Sequence, residues 1–176
     1  MKKQIIKLSV IIPVYNEENS ILSLLKKVKS INISKEVIIV DDGSNDGTKK
    51  ILKDNCSLYD RLVILNKNSG KGYACRIGIK YAKGTYLVIQ DADLEYDPNN
   101  FYDMIESLDE NTKVVYGSRA MKGGVKTAPP GLRPYFSKFA NFLLTKFSNL
   151  MNGQNLTDAH TCYKMFETNL IKKIDL

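Results

Sequence analysis

An α/β fold with a mainly parallel sheet is what this sequence predicts, and two observations carry it. Short apolar runs alternate with stretches of helical periodicity, joined by short connections. Each apolar run also ends in polar or glycine-rich residues, and in such sheets ligands bind outside the carboxyl ends of the strands. The 176 residues suffice for one domain with a real core.

The order of elements follows from the pattern. Leu8–Val14 is short, apolar and predicts a buried strand. Glu17 to Ser30 predicts a helix from its Ile21, Leu24/Leu25 and Val28 spacing, with Asn16 as N-cap and acids in the first turn. Glu36–Val40 is a second strand, followed by a helix from Asp46 to Asn55. Arg61–Leu65 is a third strand, followed by a helix from Gly72 to Ala82. Tyr86–Gln90 and Val114–Tyr116 complete the strands, with a helix from Pro98 to Leu108 between them. Pro134 to Met151 is a further helix. The glycines and prolines of 122–131, K-G-G-V-K-T-A-P-P-G, predict a mobile loop over the strand ends.

Composition bounds the class. Hydrophobic residues make up 43% and charged residues 26%, as in an ordinary soluble chain. Three cysteines, Cys56, Cys75 and Cys162, lack metal-finger spacing and suggest a reducing, cytoplasmic setting. No apolar run reaches the roughly 18 residues that would cross a bilayer, and the single His160 excludes a His-rich metal site. Residues 1–110 hold 16 Lys/Arg and 16 Asp/Glu, whereas 111–176 hold 10 against 3, so the whole excess of +7 sits in the last third. That excess is either plain solubilising charge or the mark of an anionic partner such as phosphate or a membrane face.

The polar clusters all fall on one rim. The first is I-I-P-V-Y-N-E at 11–17, and the second is V-D-D-G-S-N-D-G-T at 40–48. In the second, Asp41 and Asp42 suit either a turn or a nucleoside. The third, N-S-G-K-G-Y-A at 68–74, opens a helix with Lys71 between two glycines, which suits a phosphate. Leu65 stands where a Walker A glycine belongs, and Cys75 where the last glycine of G-x-G-x-x-G belongs, so neither motif is present. The fourth, D-A-D-L-E-Y-D-P at 91–98, leaves a strand with clustered acids. On extended chain Asp91 and Asp93 point the same way and suit one hard divalent cation, Mg²⁺ or Mn²⁺. The alternative is an acidic loop in which Asp97 caps a helix begun at Pro98.

In this order and spacing, with Y-G-S-R at 116–119 and T-D-A-H-T-C-Y-K-M-F at 157–166, the motifs resemble family 2 glycosyltransferases of the GT-A fold, from about Leu8 to Phe166. The polyprenyl-phosphate sugar transferases, such as dolichol-phosphate mannose synthase, are the most similar branch. The resemblance implies that Pro13, Tyr15 and Glu17 line a nucleoside pocket and that Asp42 holds base or ribose. It implies that Asp91 and Asp93 carry a divalent metal on a nucleotide diphosphate, with Glu95 as a further ligand. Arg119 and Arg133 would meet phosphate near the reacting centre, Asp158 would lie near the acceptor, and Lys164 matches a basic position.

The implied reaction is inverting, metal-dependent transfer of a hexose from a GDP- or UDP-sugar to a polyprenyl phosphate at the cytoplasmic face of a membrane. The last third suits that acceptor. Phe136, Phe139, Leu143, Phe147 and Leu150 line one face of the 134–151 helix, either as core or as an amphipathic membrane contact. The family rival transfers to a sugar hydroxyl, with Asp158 as general base; a tryptophan-containing synthase motif is ruled out because the chain has none. Outside the class stand a non-catalytic nucleotide-binding module and a nucleic-acid binder, the latter without any recognisable motif. Relatives continue beyond the C-Y-K-M-F motif, so the expectation is a catalytic domain truncated at its C-terminus.

Overall fold

The most apolar, β-branched runs of the chain form its central strands. The computed structural model describes residues 7–118, 133–159 and 161–174, with backbone alone at 133–138. Its strands are β1 (Leu8–Val14), β2 (Lys35–Asp41), β3 (Arg61–Ile64), β4 (Tyr86–Ile89), β5 (Val114–Tyr116) and β6 (Lys164–Glu167). They form one sheet in the order β3-β2-β1-β4-β6-β5. β1 to β4 are mutually parallel, while β6 runs antiparallel between β4 and β5. The mainly parallel sheet is thus as expected, and β6 is an addition: a four-residue strand flanked by charges carries too little periodicity to announce itself.

Helices cover both faces. α1 (Ile21–Ser30), α2 (Thr48–Asp54) and α4 (Phe101–Glu106) supply Leu24, Leu25, Leu52 and Phe101 to one core, with Val10, Ile12 and Met165 from the sheet. α3 (Lys71–Tyr81) and α6 (Thr168–Ile171) supply Ile79 and Ile171 to the other, against Ile11, Ile38 and Leu87. The alternation of Ile11 and Ile12 between the two cores is the period of two expected of a strand. A Cβ on Gly78 would lie 2.4 Å from Ile11 Cγ2, so glycine is what lets α3 lie close on β1. α5 (Arg133–Asn152) is the longest helix described.

Several predicted boundaries move, each for a local reason. Asn16 is not an N-cap: its φ is 55°, and α1 begins only at Ile21 after Ser20. The Asn16 and Glu17 amides instead donate to Ser44 Oγ (2.9 Å) and Thr48 Oγ1 (2.8 Å), which ties residues 16–17 to the turn before α2. Consequently the first turn of α1 carries no acid. Asp46 lies in that turn, taking the Thr48 amide at 3.0 Å, and α2 starts at Thr48. Pro98–Asn100 forms a 3-10 turn before α4, and Asp97 accepts the Asn99 amide as its cap. The 122–131 loop lies outside the described residues.

Candidate active site

A cleft of about 290 Å³ opens at the carboxyl ends of the parallel strands, where ligands bind in this architecture. Pro13, Tyr15, Glu17, Asp42, Lys71, Asp91 and Asp93 all line it, joined by Asn68 and Ala74, which the sequence did not single out. Glu95 is not among its lining residues.

The loops around the cleft are held by carboxylates that accept backbone amides. Asp42 is buried, and its two oxygens take the Ser69 and Gly70 amides, each at 2.8 Å. This bridge sets the loop that delivers Lys71. Asp41 accepts the Ser44 amide at 3.2 Å, so it does form the turn considered for it. Gly43, at φ 76°, sits so close to the Lys67–Asn68 backbone that a Cβ would fall 2.6 Å from the Lys67 carbonyl carbon. Glycine is required there on both counts.

Beyond β4 the extended chain stops at Ile89, and residues 91–95 turn, with Leu94 at φ 64°. Asp91 and Asp93 therefore reach the cleft from a turn rather than from extended strand. Gln90 and a tyrosine just before β6 pin this turn. Tyr163 donates to Gln90 Oε1 and to the Asp97 carbonyl, both at 3.1 Å. Gln90 Nε2 donates to the Asp91 carbonyl at 3.1 Å, and the Tyr163 ring stacks on Tyr96 with centroids 4.9 Å apart. Burial, with the Asp97 charge adding to it, pushes the Tyr163 hydroxyl far above its ordinary range, so it remains a donor. These residues orient the acids, and Tyr163 lies inside the T-D-A-H-T-C-Y-K-M-F motif already singled out in the sequence, though without this role.

Asp91 Oδ1 is buried and lies 2.5 Å from Lys71 Nζ, close in distance but not aligned as a hydrogen bond. Burial acts to lower the Lys71 pKa, but contacts with Asp91 and Cys162 outweigh it and raise the value, so the ammonium stays charged at neutral pH. Cys75, one turn further along α3, is buried, which pushes its thiol up to about 11.

The region around α5 presents a different surface. Asp158 is 3% exposed and accepts Asn141 Nδ2 from α5 at 3.1 Å. Lys164 stands over the Tyr116 ring at 5.1 Å. Along α5, Phe139, Phe142, Leu143, Leu144, Phe147, Leu150 and Met151 are exposed, Phe147 by 63% and Leu150 by 82%. Those side chains are not part of the core formed by the described residues. Arg119 and His160 lie outside the described residues, as does the side chain of Arg133. Among the described residues no three His, Cys, Asp or Glu side chains converge as a ready-made metal cage, and no helix is long and apolar enough to cross a membrane.

Residues 9–175 match Glycosyl transferase family 2. The chain belongs to that family. Among curated family relatives, an undecaprenyl-phosphate 4-deoxy-4-formamido-L-arabinose transferase of Proteus mirabilis is 33% identical over 158 residues, covering 86% of this chain and 47% of that protein. A dodecaprenyl-phosphate galacturonate synthase of Rhizobium johnstonii is 30% identical, covering 98% of this chain and 51% of that protein. The chain thus spans about half the length of the curated relatives it matches. Among solved structures, the mannosyltransferase PcManGT of Pyrobaculum calidifontis, in complex with GDP-Man and Mn²⁺, superposes with a TM-score of 0.67 at 21% identity over 96% of this chain and 46% of that one. Glucosyl-3-phosphoglycerate synthase of Mycobacterium tuberculosis, with Mn²⁺ and UDP, gives 0.70 at 19% identity over 96% and 59%. These likenesses establish the GT-A fold that the motifs implied.

Proposed function

We propose that the protein transfers a hexose from a nucleotide-diphosphate sugar to a polyprenyl phosphate, with inversion, at the cytoplasmic face of a membrane. The observation that carries this reading is the outward apolar face of α5 in the same chain as a cleft lined by Asp42, Lys71, Asp91 and Asp93. A hydroxyl acceptor in water calls for no such face. α5 also contains Arg133, Lys138 and Lys146 with no acid, which suits anionic headgroups. The relatives named for undecaprenyl- and dodecaprenyl-phosphate products favour the same acceptor.

The residues fit a divalent cation by donor chemistry. Asp91 and Asp93 offer hard oxygen ligands to the cleft, and the Lys71 ammonium 2.5 Å from the buried Asp91 Oδ1 marks that oxygen as one that takes a cation. When bound, the cation neutralises charge on the leaving diphosphate. Pro13, Tyr15, Glu17 and Asp42 would orient the nucleoside, while Lys71, Arg119 and Arg133 would draw phosphate. Glu95 would join the metal ligands only by a shift of its turn. An acceptor phosphate oxygen attacks the anomeric carbon, that carbon's bond to the diphosphate oxygen breaks, and the diphosphate leaves with the electron pair. No proton moves, so Asp158 acts by position rather than as a base.

Calorimetric titration with UDP and GDP, each with and without Mn²⁺, tests the donor site; one nucleotide should bind in a metal-dependent manner. Labelled sugar from that nucleotide should then appear on undecaprenyl phosphate in vesicles. Transfer to a sugar hydroxyl instead would favour the rival acceptor, with Asp158 as base. Nucleotide binding without any transfer would favour a non-catalytic module.

A further inference from the structure

α5 turns its polar side inward. Asn141 Nδ2 donates to Asp158 Oδ1 at 3.1 Å, and Thr145 Oγ1, on a residue only 4% exposed, accepts the Ala159 amide at 3.3 Å. Asn149 grips Leu156 twice: its Oδ1 takes the Leu156 amide at 3.0 Å and its Nδ2 donates to the Leu156 carbonyl at 2.8 Å. Residues 141, 145 and 149 are spaced by four and share one helical face. Phe139, Phe142, Leu143, Leu144, Phe147, Leu150 and Met151 lie off that face and are exposed. One rigid element therefore carries the proposed lipid contact outside and the 156–159 loop inside. That loop reaches the donor side as well. Thr157 Oγ1 donates to Ser118 Oγ at 2.8 Å, and the neighbouring Gly117 amide donates to the carbonyl of Tyr163, the residue that pins the Asp91 turn.

We propose that Asn141, Thr145 and Asn149 are positioning residues that transmit docking of α5 on a lipid surface to the Leu156–Ala159 loop and so to Asp158. The inference rests on the lipid-acceptor reading given above. Directional hydrogen bonds at three successive turns leave the helix little freedom to tilt or rotate without carrying the loop. Fixing the outward face on a bilayer then fixes the acid that stands near the acceptor.

Amide hydrogen exchange of the full chain, with and without vesicles of phosphatidylethanolamine and phosphatidylglycerol, reads this coupling independently of turnover. Peptides covering 155–159 should exchange about tenfold more slowly when vesicles are present. Asn141→Ala and Asn149→Ala should still bind vesicles and nucleotide, since the outward face and the cleft are untouched, but should lose the added protection. In transfer assays they should lower kcat about tenfold with the donor KM unchanged. Vesicle binding without added protection in the natural protein, or full protection retained in both variants, would overturn the coupling. Protection as expected without transfer to polyprenyl phosphate would overturn the acceptor reading and leave the coupling standing. No vesicle binding by the natural protein would overturn both.

Discussion

The cleft-bearing region and the α5 region of this chain obey opposite packing rules. Between Leu8 and Leu108, apolar helix faces turn inward: Ile21, Leu24, Leu25 and Val28 of α1 are buried, and the loops of the cleft are closed by carboxylate-to-amide bonds. In α5 Asn141, Thr145 and Asn149 face the protein, while Phe139, Phe142, Leu143, Leu144, Phe147 and Leu150 face out. The first arrangement is complete in itself and presents a shaped, polar cleft. The second leaves its apolar surface to something beyond the described residues. An exposed apolar patch of this kind marks an interaction site rather than a packing accident, and under the proposed function the contrast separates a water-borne donor from a membrane-borne acceptor.

Substitutions sharpen that contrast, and the greatest loss is expected at the donor side. Asp91→Ala removes the carboxylate paired with Lys71 and facing the cleft; transfer should fall about 10³-fold, and metal-dependent nucleotide binding, followed by calorimetry, should vanish. Asp42→Ala removes the acceptor of the Ser69 amide and one of two from the Gly70 amide, which keeps Asn68 Oδ1 at 3.1 Å; the lost hydrogen bonds cost about 0.5–1.5 kcal/mol each. Denaturant melts should report that loss together with weaker nucleotide binding. If Asp42→Ala weakens binding with no change in stability, its carboxylate serves the nucleoside alone.

The smallest effect is chemical. Cys75 is buried while Cys56 and Cys162 are exposed, so iodoacetamide at pH 8 should modify Cys75 at least about tenfold more slowly than the other two, as read by mass spectrometry of peptides. The sign of the linked stability follows. The folded thiol titrates near 11 against an ordinary 9.0, so stability is full below pH 9 and declines as pH rises toward 11. Equal modification rates for all three cysteines would mean that the α3 face is open.

Much of the donor side is legible in the sequence because it follows local rules. β1, β2 and β4 are continuous apolar runs, and the rim motifs sit immediately after them, so the strands themselves and the cleft composition follow together. What escaped is set by distant partners. The delayed start of α1 depends on the hydroxyls of Ser44 and Thr48, which capture the amides of Asn16 and Glu17. β6 exists because β4 and β5 flank it. The turn that carries Asp91 and Asp93 is held by Tyr163, more than sixty residues away in the chain. For α5 the periodicity predicts two faces but not which one meets the protein; the hydrogen bonds of Asn141, Thr145 and Asn149 to the 156–159 loop decide that.

The most direct test of the two-region account measures vesicle partitioning and nucleotide affinity in the same samples, for the natural chain and for the double variant Phe147→Ser, Leu150→Ser. Both side chains are outward, so the variant should fold with stability changed by no more than about 0.5 kcal/mol. Its partitioning onto phosphatidylglycerol-containing vesicles should fall about 100-fold while its nucleotide affinity stays the same. Unchanged partitioning, or a collapse of nucleotide affinity along with it, would contradict the division between a self-contained donor site and a lipid-completed acceptor side.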